Sequence, residues 1–326
     1  MSVFVGIDIS AKTFDVAIRS DKKIKKTFTF TQDTSGFAKA AKAFSKYKPA
    51  LIVMEATGIY YLDLAVFLVN EGFRVAVINP VISKRFAELK LSQVKTDAAD
   101  AALLAEYAEV MNPSPWVPPK PELLALKDIG RQVNRLTKDK VKAKNRLHAL
   151  QSKTSPGILI EDLQESIEAY ERRVIRLTDA ALKIIHDDEK LALIYSCFIA
   201  AKGVAQTSAI AILAELVVLP SDMKAKQVSR YSGLDVRISQ SGSSVKGVSR
   251  ISKAGNVYLR SALFMPAMSA SQHDPNAKHF KEQLVERGKT KLQANVAVMR
   301  KYLTGLWAVY QSAQPFDSSK LFYFEG

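Results

Sequence analysis

Asp8 and Glu55 each close a short apolar run, Phe4-Val5-Gly6-Ile7 and Leu51-Ile52-Val53-Met54, and both runs read as buried strands. Asp97 and Asp100 stand three apart at the start of an Ala/Leu-rich helix, in KTDAADAALLAEYA, so both lie on one helical face. Carboxylates at the ends of two central strands, facing a helix that brings two more, are the oxygen ligands a hard Mg²⁺ ion needs, with Mn²⁺ as a substitute. The chemistry such a set performs is metal-dependent cleavage of a phosphodiester. Each acid taken alone has a plainer explanation. Asp97 would cap a helix starting at Ala98, and Asp8 would close a turn. The set resists that account, because gathering several carboxylates without a cation is costly.

The elements that must position these acids alternate along residues 3–110. Strands are predicted at 3–7, 14–19, 25–31, 50–54 and 73–78, and helices at 34–46, 60–71 and 98–110. Three antiparallel strands followed by alternating helices and strands fit an α/β, RNase H-like sheet of the RuvC type, assigned here to residues 1–111. Residues 112–121 then carry five prolines in nine positions. They read as a stiff linker, since proline breaks helices and central strands.

From 122 to 189 the period changes. Leu126, Ile129, Val133, Leu136, Lys140, Ala143, Leu147 and Leu150 alternate in steps of three and four. After Pro156-Gly157 the alternation resumes with Leu163, Ile167, Tyr170, Val174, Leu177, Ala181 and Ile184. This pattern predicts a helical coiled-coil arm, either an antiparallel hairpin or a dimer seam, with Lys140 as a register-setting exception. An apolar seam left open by one chain would call for a second copy, so a homo-oligomer held by the arm is expected. Between 120 and 153 there are ten Lys/Arg against three Asp/Glu. Lys138, Lys140, Lys142, Lys144 and Arg146 are the candidates there for phosphate contact, the alternative being a solvated helix face.

Residues 190–326 read as a mainly helical domain interrupted by Ser239-Gln240-Ser241-Gly242-Ser243-Ser244-Val245-Lys246-Gly247. Buried helices are predicted at Leu191–Ala200 and Thr207–Val218, and further helices at 256–271 and 293–311. Around the serine-rich turn, from Lys224 to Arg260, there are eight Lys/Arg and one acid, Asp235. Its glycines let backbone approach a phosphate, and Lys246, Arg250, Lys253 and Arg260 can neutralise the charge. From these residues alone two roles stay open. The serines either donate hydrogen bonds to a phosphate, or one of them is a nucleophile activated by a base or metal from elsewhere.

Composition narrows the class. The chain has 326 residues, 48% of them hydrophobic, and a formal charge of +15, which points to a polyanionic partner. No run approaches a membrane span, and no signal-peptide pattern precedes the first strand. The single cysteine, Cys197, rules out an internal disulfide, and the four histidines have no zinc spacing with it. These features predict a soluble, cytoplasmic, nucleic-acid-facing protein.

GIDISAKTFDVAI, VMEATGIYY, VINPVISKRFA, KTDAADAALLAEYA and YSGLDVRISQSGSSVKGVSRISKAGNVYLRSALFMPAM together resemble the transposases of the insertion sequence 110 family. These are DEDD recombinases related to the Piv/MooV invertases, and the resemblance spans nearly the whole chain. It implies that Asp8, Glu55, Asp97 and Asp100 form the tetrad and that Ser241, with Ser243 and Ser244 close by, matches the catalytic serine. It further implies donor and target DNA as substrates, a structured non-coding bridge RNA as guide, and a covalent phosphoserine intermediate. Dimers or tetramers are implied too, in which the acidic site of one subunit completes the serine site of another. The setting implied is bacterial, at the nucleoid. One departure is visible. The family's Gly-x-Gly turn before a transposase helix is here Ala201-Lys202-Gly203-Val204-Ala205-Gln206-Thr207, with a single, displaced glycine and Lys202 beside it.

Overall fold

A computed structural model describes residues 2–56, 58, 60–91, 96–237 and 250–322, together with the backbone of 240–241 and 245–246. The chain divides into two compact units, Met1–Pro118 and Pro119–Gly326.

In the first unit the order is β1 (Val3–Ile9), β2 (Thr13–Ser20), β3 (Lys23–Thr31), α1 (Thr34–Tyr47), β4 (Leu51–Glu55), α2 (Tyr61–Asn70), β5 (Val75–Ile78), α3 (Pro80–Leu89) and α4 (Asp97–Met111). The strands form one mixed sheet in the order β3-β2-β1-β4-β5. β1, β2 and β3 pair antiparallel, whereas β4 joins β1, and β5 joins β4, in parallel. Side chains alternate across the pleat. Val5, Ile7 and Ile9 therefore pack with Phe37, Phe44, Leu64 and Leu68 of α1 and α2 on one face. Leu51 and Val53 meet Phe86 of α3 and Leu104 and Tyr107 of α4 on the other.

The proline-rich segment is less of a free linker than its composition predicts. The Trp116 amide donates to the Val75 carbonyl at 2.7 Å, and the Trp116 ring packs against the core beneath α1 and α2. Its last proline, Pro121, already begins the next helix, a position where a missing N–H costs nothing.

The second unit begins with the two long helices α5 (Pro121–Gln151) and α6 (Gly157–His186). They fold back on each other as a hairpin. Val133 and Leu136 pack with Val174 and are flanked by Ile129, Tyr170 and Leu177. Lys140 and Lys144 both pair with Glu171 across the hairpin, at 3.7 and 3.2 Å. The seam is thus closed within one chain along most of its length, and a second copy is not needed to cover it. Leu136→Glu is expected to destabilise the hairpin by about 3 kcal/mol, since it puts a charge in a packed seam. Circular dichroism melts at low protein concentration check this. A loss seen only where copies associate would place the seam between chains.

Next come α7 (Glu189–Ala200), α8 (Gln206–Leu216), α9 (Ala225–Tyr231) and the two-residue strands β6 (Val236–Arg237), β7 (Gln240–Ser241), β8 (Val245–Lys246) and β9 (Arg250–Ile251). The chain then runs through α10 (Val257–Ala262), α11 (Phe264–His273), α12 (Pro275–Glu286) and α13 (Lys291–Ser312). The helix predicted at 256–271 is in fact two, meeting at Leu263. α3, α9 and α12 have no counterpart in the periodicity, because each buries only two side chains, too few to set a helical period. The foot of the hairpin, with Leu126, Ala181 and Ile185, joins the large helical core around Trp307 and Tyr302. Cys197 is buried in that same core. Among the described residues no helix is long and apolar enough to cross a membrane.

Candidate active site

Gly6 and Asp8 are two apart on β1 and so share a face of the sheet. α4 lies directly on that face. A Cβ built on Gly6 would sit 2.1 Å from the Ala101 carbonyl oxygen and 2.2 Å from the Ala105 nitrogen. Ala17, opposite Gly6 on β2, packs against Ala101 and Ala105 in the same layer. This run of missing and minimal side chains lets helix backbone touch strand backbone, and it lays the first turn of α4 beside Asp8. The far half of α4 is fastened by Arg19, whose Nε donates to Glu109 at 2.7 Å and whose Nη2 reaches Glu106 at 3.5 Å. Gly6→Ala is expected to cost about 3 kcal/mol or more, because the clash is with backbone and no rotamer relieves it. Differential scanning calorimetry checks the loss, and a parallel DNA-cleavage assay should fall with it as α4 is lifted.

Glu55 ends β4, the parallel neighbour of β1. The register pairs Gly6 with Val53 and Ile7 with Met54, and one residue further along each strand stand Asp8 and Glu55. Glu55 accepts a 2.5 Å hydrogen bond from Ser83 Oγ of α3. The helix reading of Asp97 is corrected in one respect. Thr96 caps α4, its hydroxyl accepting from the Ala99 amide at 3.2 Å, so Asp97 is not spent as the cap. Asp97 and Asp100 lie in the first turn, where the helix dipole favours carboxylates. Asp8 sits within a strand rather than in a turn.

The other three acids act on Asp8. Burial first, then Asp100, Asp97 and Glu55, push the Asp8 carboxyl from 3.8 up to about 6, against a hydrogen bond with the Ile9 amide that lowers it. Among the described residues, however, no three such side chains close around a common centre. The donor set is all oxygen, as a hard divalent ion requires, so the residues fit Mg²⁺ in kind.

Two nearby groups escaped the sequence reading. Asp15 on β2 is the direct cross-strand partner of Asp8, and its carboxylate is held by Thr29 Oγ1 at 2.6 Å. A polar residue recurring on the Gly6–Asp8 face was the available signal. Ser83 offered none, because its contact with Glu55 crosses 28 residues of sequence.

The basic candidates divide. Lys138 and Arg146 are exposed. Lys142 pairs with Asp139, while Lys140 and Lys144 share Glu171. Arg250 and Lys253 are exposed beside the serine-rich turn. Arg260 turns inward, its guanidinium donating to the Ser232 carbonyl at 2.7 Å. The backbone of Ser241 pairs with Val245 in a small antiparallel ladder, and Lys246 pairs with Gln240. The side chains of Ser241 and Lys246, and all of Ser243 and Ser244, lie outside the described residues. In the turn between α7 and α8, Gly203 has φ +92, and a Cβ there would meet the Pro266 carbonyl at 2.7 Å. The one glycine retained in that turn is the one the backbone requires.

A strand-end and helix-end cluster of acids on a mixed sheet, in a strongly basic chain, is the equipment of an enzyme that works on nucleic-acid phosphodiesters. Residues 5–156 match the DEDD transposase family of insertion sequence IS110, and residues 196–282 match the family described as "Transposase IS116/IS110/IS902 family". The pilin gene-inverting protein of Moraxella bovis is 30% identical over 321 residues, covering 96% of this chain and 97% of its own. That of Moraxella lacunata is 30% identical over 325 residues with the same coverage. The Thermus thermophilus RuvC structure aligns with 35% of this chain and 99% of its own at 14% identity, with a TM-score of 0.27, too low to argue from. The chain belongs to the IS110 family of transposases. It is a DNA transposase/recombinase, an enzyme that cleaves and exchanges DNA strands.

Proposed function

We propose that this transposase is an RNA-guided recombinase with two centres. One is an RNase H-like, RuvC-type acidic site in residues 1–111, and the other is Ser241 in residues 190–326, with the 122–189 arm between them in sequence. The observation that carries the first centre is the nearness of the acids, since Asp100, Asp97 and Glu55 all act on Asp8, whose carboxyl burial raises first. Asp8, Glu55, Asp97 and Asp100 would hold Mg²⁺, or Mn²⁺ in its place. Bound there, the ion supplies electrostatic stabilisation to a phosphate undergoing substitution. Thr96 and Gly6 keep the helix-borne acids against the strand-borne ones, and Ser83 orients Glu55.

At the second centre the Ser241 hydroxyl attacks a DNA phosphorus. An Oγ–P bond forms as the scissile P–O bond breaks, and the serine proton ends on the departing DNA oxygen. A hydroxyl from a second DNA strand then reverses the step. No nucleotide cofactor is consumed, because the phosphodiester's energy is kept in the serine ester. Exposed Arg250 and Lys253 support charge neutralisation there, and Lys138, Lys142 and Arg146 support phosphate contact along the arm. The +15 charge supports a large polyanionic partner, read here as a bridge RNA together with donor and target DNA. Homodimers or tetramers would let the acidic site of one copy serve the serine of another.

Guide dependence is tested by sequencing RNA that co-purifies with the protein, then altering its unpaired loops. Redirected insertion is the expected result, and exchange that proceeds at the same site without RNA defeats the guided reading. The full-length likeness to pilin gene-inverting proteins favours a second reading, in which both sites lie on one DNA and exchange inverts the segment between them. A plasmid with two sites in inverted orientation scores that outcome.

A further inference from the structure

Glu215 on α8 is 1% exposed, the most deeply buried of the charged side chains described. Arg131 of α5 grips it with both arms of its guanidinium, Nε to Oε1 at 2.5 Å and Nη2 to Oε2 at 2.9 Å. Asn256 Nδ2 donates to the same Oε2 at 2.5 Å and to the Tyr231 hydroxyl at 2.9 Å. Asn256 Oδ1 meanwhile caps α10, accepting from the Tyr258 and Leu259 amides. One buried carboxylate thus ties together the foot of the arm, α8 and the start of α10.

What leaves this junction is the stem of Val236–Arg237 and Arg250–Ile251, between whose strands Ser241 lies in sequence. Its two strands pass through a tight neck. The Asn256 amide donates to the Tyr231 carbonyl at 2.6 Å, and the Lys253 amide to the Gly233 carbonyl at 3.1 Å. A Cβ on Gly255 would lie 2.3 Å from the Tyr231 oxygen, so backbone presses on backbone there. Above the neck, Val236–Arg237 pairs with Arg250–Ile251, and beyond that stem lies Ser241. Arg131 and Arg135 also stack over the Tyr258 ring, 4.5 and 5.5 Å from its centroid, which extends the grip from arm to neck.

A buried ion pair is weak support for stability, since apolar residues of similar volume often do as well or better. Its attested use is to fix one arrangement among several. We infer that Glu215, Arg131 and Asn256 are positioning residues that fix the stem flanking Ser241 in sequence and lock that stem to the arm. The inference rests on the reading of Ser241 as the nucleophile. A nucleophile on a two-stranded stem needs an anchored base, because a displacement of about 1 Å at the reacting atom costs on the order of 100-fold in rate.

The test replaces the pair without leaving a charge buried. Arg131→Met combined with Glu215→Leu should melt close to wild type and bind DNA and Mg²⁺ normally. Its kcat for strand exchange should fall about 100-fold with KM for DNA unchanged, a split that a merely structural role would not produce. Exchange at the wild-type rate overturns the inference. If the double variant fails to fold, Asn256→Ser carries the test, since it keeps the ion pair and a capping oxygen for α10 while removing the amide donor to Glu215 and Tyr231. The expected result is again a selective loss of kcat, and a full rate overturns the inference. Ser241→Ala is assayed alongside. If it remains active, the nucleophile reading has failed. If it is dead while both junction variants run at full rate, only the positioning role falls.

Discussion

Asp8→Asn is expected to abolish DNA strand cleavage while leaving DNA and RNA binding largely intact. Asp8 is the acid on which the other three act, and its carboxylate is raised to about 6 by burial and by Asp100, Asp97 and Glu55. An amide removes one negative oxygen ligand and with it much of the site's hold on a divalent ion. The basic surfaces of the second unit are unchanged, so binding by electrophoretic mobility shift should persist. Loss of at least about 1000-fold in cleavage is the expected size for an essential metal ligand. Near-wild-type cleavage in Mg²⁺ would mean the tetrad is misassigned.

The same substitution should stabilise the protein in chelator. A carboxyl raised from 3.8 binds its proton more tightly in the folded chain than in the unfolded one. Its contribution is therefore fully present below about pH 4 and is lost as pH rises through about 6. The displacement is worth about 3 kcal/mol at full burial, which the site's partial exposure to solvent reduces to about 1 kcal/mol. Asp8→Asn in EDTA at pH 7.5 should then melt a few degrees above wild type, with the gain vanishing near pH 4. Added Mg²⁺ should raise the wild type and not the variant. Equal melting of the two proteins at every pH would show that the acids do not strain one another.

Ser241→Ala should lose cleavage and strand exchange together while keeping metal and nucleic acid. A serine hydroxyl is a weak nucleophile, and no histidine stands near Ser241 in sequence to activate it, so its chemistry must be completed by another centre. A reaction stopped in denaturing detergent should contain protein joined to DNA, with the labelled peptide carrying Ser241. Mapping to Ser243 or Ser244 would move the residue and keep the mechanism. Cleavage by Ser241→Ala with no adduct would return the enzyme to plain metal-dependent hydrolysis.

The acids, the basic turn and the helical arm are legible in the sequence because each announces itself locally. An apolar run leading into Asp8 or Glu55 is a strand signal, although β1 continues past Asp8 to Ile9, and Asp97 and Asp100 share a helical face by spacing alone. The heptad alternation gives two long helices for the same reason, though not whether their seam closes within one chain or between two. That was decided by the turn at Pro156-Gly157 and by pairs such as Leu136 with Val174. Composition marked residues 112–121 as extended, yet only the folded sheet edge shows Trp116 bonded to Val75. Gly6 looks in sequence like any glycine in a strand. Its meaning comes from α4, almost a hundred residues on, whose backbone occupies the space a Cβ would fill. Glu215 with Arg131, and Ser83 with Glu55, are likewise invisible to any reading by period, since partners 84 and 28 residues apart meet only once the helices have packed. Local patterning marks candidate residues by type and spacing, while close packing of distant backbone decides which of them meet.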